Sequence, residues 1–80
     1  MSVNKSKPTG AAPVTISGVT FRCYTVGVLR NEWISDDDRC VVVGHTSGLS
    51  VWATVDGVLI GNRFRSTRGA MKAAVWAMRR

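Results

Sequence analysis

Eighty residues leave room for one domain, and a chain this short buries only about 60% of its unfolded surface, so a single thin core is expected. With 45% hydrophobic and 20% charged residues and a mean hydropathy of +0.06, a wholly disordered chain is excluded, and no apolar run approaches the ~18 residues of a membrane span. Eleven Lys and Arg against five Asp and Glu give +6 at pH 7 and a pI near 10.4, which points to a polyanionic partner or an acidic protein surface.

Residues 1–13 are small and polar, carry Lys5 and Lys7, and read as a flexible basic tail. No apolar stretch follows the lysines as in a secretory signal, so a cytoplasmic setting without membrane is the expectation. Two cysteines, Cys23 and Cys40, make no disulfide framework, and free thiols are expected. If the first two strands pair across the 30–38 segment, the two cysteines could lie opposite each other.

Residues 14–80 are the expected domain. Residues 19–29 alternate with period two and predict a strand, starting as early as Val14, with Phe21 and Cys23 on one face and Arg22 and Tyr24 on the other. Residues 30–38 (RNEWISDDD) break the alternation and read as a loop, and residues 39–45 as a short strand. Residues 50–55 and 58–64 flank Asp56-Gly57, the strongest short hairpin signal, since both turn residues of the favoured turn need positive φ. A two-residue turn sets Val55 against Val58, Ala53 against Ile60, Val51 against Asn62 and Leu49 against Phe64 as the core face. Trp52 then lies opposite Gly61 and Ser50 opposite Arg63. Residues 68–78 predict a helix capped by Ser66 or Thr67, with Met71, Ala74, Val75 and Met78 as its core stripe. The fold class is α+β, β-β-β-β-α: an antiparallel sheet of three to four strands packed on one C-terminal helix.

Catalytic and cofactor signals are poor, and a non-enzymatic protein without cofactor is expected. His45 ends a strand without a local acid. Cys23, Cys40 and His45 lack the paired spacing of a zinc site. Asp36, Asp37 and Asp38 are consecutive and do not converge on one ion, so they read as a solvated acidic loop and a candidate partner contact.

Charge is more informative. Residues 1–30 carry +4, residues 31–56 carry −4 and residues 57–80 carry +6. Arg22, Tyr24, Trp52, Arg63 and Arg65 are expected on the non-core face of the sheet, where guanidinium groups can pair with phosphates and aromatics can stack on bases. The competing reading has Trp52 covering Gly61 and the arginines merely solvated. On the helix, Arg68, Lys72 and Arg79 form one ridge with Trp76 beside it, a composition suited to a protein partner; alternatively Trp76 folds over the sheet edge, with Trp33 as its packing partner.

Trp52-Ala53-x-Val55, Gly57, Gly61, Phe64, Ser66, Ala70 and Ala73 resemble the AP2-type DNA-binding domain and the related arm-binding domains of tyrosine recombinases. The resemblance spans residues 52–74, with one residue too many between Gly61 and Phe64. It implies a three-stranded sheet followed by a helix, DNA read by the exposed sheet face with Trp52, Arg63 and Arg65, and Ala70 and Ala73 packed on the sheet. By size and character alone the chain also resembles the small inhibitors of phages and mobile elements, anti-CRISPR proteins among them. The partners expected are therefore nucleic acid, DNA ahead of RNA, or a host protein complex whose interface is blocked. A homodimer burying Trp76 would serve either.

Overall fold

The computed structural model describes residues 8–26, 30–45 and 50–80. Six strands run in chain order through one sheet, each antiparallel to the next: β1 (Val14–Ile16), β2 (Val19–Val26), β3 (Arg30–Ser35), β4 (Cys40–His45), β5 (Val51–Val55) and β6 (Val58–Phe64). One helix, α1 (Thr67–Met78), closes the chain and packs on one face. The class is α+β with an antiparallel sheet and a C-terminal helix, and the sheet has six strands where three to four were expected.

The extra strands have physical causes. Ser17 and Gly18, at φ 49° and 85°, form a two-residue turn that folds Val14–Ile16 back onto β2 as a separate strand. Residues 30–35 are a strand, not a loop, because β3 pairs along both edges, with β2 and β4. Trp33 packs toward α1, while Ile34 is buried on the opposite face. Apolar side chains on both faces of one strand break the alternation of apolar with polar residues. The N-terminal segment also reaches the sheet: Pro8 bridges to Tyr24, and the Thr9 N–H donates to the Cys23 carbonyl at 3.1 Å. Lys5, Lys7, Val28 and Leu29 lie outside the described residues.

The Asp56-Gly57 turn forms as expected, at φ 52° and 82°, and sets Val55 against Val58. The register beyond it differs. Ala53 faces Gly61 and Val51 faces Phe64, because β6 takes up extra residues in two irregular steps. Trp52 therefore does not lie opposite Gly61. The Phe64 ring does cover this glycine: a Cβ there would come within 2.7 Å of Phe64 Cζ. The expected pairing of Leu49 falls outside the described residues.

The core lies between α1 and its side of the sheet. Phe21, Cys40, Val42, Val51 and Ala53 meet Ala70, Met71, Ala74 and Val75, with Met78 partly buried against them. The helical stripe read from spacing is thus the packed one. Ser66 caps α1, its hydroxyl accepting from the Gly69 N–H at 3.0 Å. Cys23 and Cys40 are both buried free thiols, but Cys23 pairs across to Trp33 and Cys40 to Val55, so they are not opposite each other.

The helix lies mainly along β4 and β5, yet it also touches β6 and β1. In a flat sheet with strands ~4.8 Å apart, β1 would stand almost 20 Å from β5, beyond the reach of a helix 10–12 Å across. The sheet therefore coils around α1, as its inherent twist favours. This coiling brings edge strand β1 beside the exposed flank of the helix. Among the described residues no helix is long and apolar enough to cross a membrane.

Candidate nucleic-acid interface

Arg22, Tyr24 and Trp52 do share the sheet face turned away from α1. The register places Tyr24, Glu32, Val43 and Trp52 in one cross-strand row and Arg22, Ile34, Val41, Thr54 and Leu59 in the next. Tyr24 and Trp52 are three strand spacings apart, roughly 14 Å. Between them stand Glu32 and the buried Val43. Arg22 is tied to Asp36, Nε to Oδ1, at 2.9 Å. The centre of this face is aliphatic and its one described arginine on β2 is already matched by an acid.

The acidic loop is a folded turn. The Asp38 N–H donates to the Ser35 carbonyl at 2.8 Å, and Asp38 itself sits at φ 64°, a left-handed conformation that Asp tolerates. Asp37 Oδ1 accepts from the Ser35 hydroxyl at 2.6 Å and from the Arg39 N–H at 3.1 Å. These bonds, the Ser35 hydroxyl first, hold the Asp37 carboxyl below its ordinary range. Arg39 makes a bidentate pair with Asp56 at 2.9 and 2.8 Å, which lowers the Asp56 pKa and raises that of Arg39. Asp36, Asp37 and Asp56 are thus engaged within the protein.

The cations after Gly57 are arranged differently. Arg63 and Arg65 flank the core-facing Phe64 and are exposed. Arg68, Lys72 and Arg79 lie on the exposed side of α1, opposite the buried stripe. Among the described residues no acid pairs with Arg63, Arg65, Arg68 or Lys72. Trp76 rises beside them, 65% exposed, with the Arg80 guanidinium 4.5 Å from its ring centroid. Trp33, its expected packing partner, instead packs into the core from β3.

Coiling of the sheet turns this ridge into one wall of a groove. Residues 15–17 of the β1 hairpin form the other wall, and Arg68, Lys72, Val75, Trp76 and Arg79 line the helix side, around a space of about 510 Å³. Arg79 spans the groove and donates to the Ser17 carbonyl. The β1 wall and the Arg80 contact are the parts that sequence reasoning missed. The Ser17-Gly18 pair was the available signal for the wall.

No protein-family profile, curated protein or solved structure matches the chain.

Proposed function

We propose that this protein is a small, non-enzymatic binding protein that holds nucleic acid on the basic surface formed by the end of β6 and the exposed side of α1. The observation that carries this reading is the division of its charge. Arg22 and Arg39 are matched by Asp36 and Asp56, whereas Arg63, Arg65, Arg68 and Lys72, close together in the chain, have no acidic partner among the described residues. A polyanion that binds such a cluster releases condensed counterions into solution, and their gain in entropy drives association. The resemblance to AP2-type domains makes DNA the first polymer to test. In that family the sheet face reads the bases; here the helix ridge is favoured over the outer sheet face, where Glu32 and an aliphatic centre oppose a phosphate backbone.

Anisotropy titrations with labelled DNA at about 50 mM salt test the reading. Binding in the micromolar range or tighter is expected, weakening roughly 10²-fold by 200 mM salt for four or five neutralised phosphates. Absence of binding at the lower salt sinks it.

One observation favours a second reading, an inhibitor or adaptor of the phage or anti-CRISPR kind that blocks a host protein complex. Trp76 is 65% exposed among cations, the composition of a protein-binding hot spot. That reading expects a stable complex with one protein and no salt-sensitive nucleic-acid binding.

A further inference from the structure

Resting on the nucleic-acid reading, we infer that the β1–α1 groove is a single-strand site, in which a base stacks on Trp76 while the flanking phosphates meet Arg68, Lys72 and Arg79.

The form of the surface comes first. The major groove of B-DNA, about 12 Å wide, admits a helix that projects as a rod of nearly that width. The basic side of α1 does not project in this way. The β1 hairpin stands alongside it, and Arg79 ties the two walls together through the Ser17 carbonyl. The groove is open to solvent, and its space, about 510 Å³, is of the order of a small-ligand cleft, ~300–1,000 Å³. A groove of this size suits a splayed nucleotide better than an intact duplex.

The chemistry of the walls agrees. Arg68 and Lys72 are one turn apart, about 6 Å along the axis, and Arg79 lies about 10 Å further on, so the cations track a strand running along the groove. Trp76 sits beside that track with most of its ring open to solvent. Within a duplex the base faces are stacked on one another, and only edges and backbone are presented to a protein. An open indole next to a line of cations finds its π-partner on an unpaired strand. Arg80 already lies over the ring at 4.5 Å, so Trp76 receives a flat cationic group here and is positioned to take a base on its other face or in exchange. Stacking of this kind tolerates any base, so weak sequence preference goes with it.

The test compares a labelled 12-nucleotide oligothymidine with a labelled 12-base-pair duplex by anisotropy at the same low salt. The single strand is expected to bind at least tenfold more tightly. Trp76→Ala should weaken single-strand binding about tenfold or more and leave duplex binding unchanged, while Trp76→Phe, which keeps an aromatic face, retains most of the affinity. Circular dichroism of each variant checks the fold, and Trp76→Phe carries the comparison if the alanine variant is unfolded. Duplex binding as tight as single-strand binding, or a Trp76→Ala variant with unchanged single-strand affinity, overturns the single-strand site while the nucleic-acid reading stands. Binding to neither probe overturns both.

Discussion

Ser35 is the only buried polar side chain among the described residues, and it organises the β3–β4 turn. Its hydroxyl donates to Asp37 at 2.6 Å and accepts from the Cys40 N–H at 3.0 Å. Ser35→Ala removes both bonds and leaves the buried Cys40 amide without a partner, so a loss of about 1–3 kcal/mol is expected in urea unfolding. The same turn sets the acid response. Asp37 is held low by Ser35 and the Arg39 amide, and Asp56 is held low by Arg39. A carboxylate with a depressed folded-state pKa stabilises the fold above its unfolded value and loses that contribution as pH falls through the folded value. These two groups should leave the urea midpoint level between pH 7 and 5 and lower it below about pH 4. Asp37→Asn and Asp56→Asn should each make the acid decline shallower; a decline of unchanged steepness in both would show that these two carboxylates do not govern it. Little of this was legible beforehand. The Asp56-Gly57 turn announces itself because its φ requirement restricts composition. A lone serine carries no such mark, and the pairing of Arg22 with Asp36 depends on a β2–β3 register that no local pattern specifies.

The hairpins and the helix differ in how far local sequence determines them. Residues 67–78 carry a strong helical stripe and a capping serine, and the structure uses both. Ser66→Ala should cost about 0.5–2 kcal/mol, because it leaves the Gly69 N–H unsatisfied in the first turn; a matching fall in the urea midpoint checks it. An unchanged midpoint would mean that packing of Met71, Ala74 and Val75 alone holds the first turn. Strand β3 was invisible for the opposite reason. Trp33, partly buried against the core, and Ile34, buried, are neighbours on opposite faces, so the run RNEWIS has neither a period of two nor a continuous apolar stretch. The register of β6 also escaped reading. Alternation predicts Ile60 against Ala53, but Gly61 takes that place so that the Phe64 ring can lie over a position with no Cβ. One of the two irregular steps of β6 falls between Gly61 and Phe64 and the other between Leu59 and Gly61. Packing of one aromatic ring on one glycine outweighs a regular ladder here.

At the scale of the molecule, the charge of +6 becomes a surface only after folding. The fold matches Asp36 and Asp56 with Arg22 and Arg39, and coils the sheet until β1 stands beside the cations of α1. If the ridge is the binding surface, its cations must set the salt dependence. Neutralising a phosphate contact lowers the slope of log K against log salt by about one. The double variant Arg68→Ala with Lys72→Ala should therefore bind nucleic acid with a slope shallower by about two and with lower affinity at every salt. Both side chains are exposed, so stability should change by no more than about 0.5 kcal/mol for each. Removing the neutral pair, Arg22→Ala with Asp36→Ala, should leave the slope as it was, because that guanidinium is already matched by an acid at 2.9 Å. Anisotropy titrations at four or five salt concentrations measure all three slopes. A slope that falls with the Arg22–Asp36 pair and not with Arg68 and Lys72 would move the interface to the outer sheet face. There Tyr24 and Trp52 would have to bind across Glu32, whose charge repels the phosphates, so the measurement decides between a basic ridge and a face whose charges are mixed.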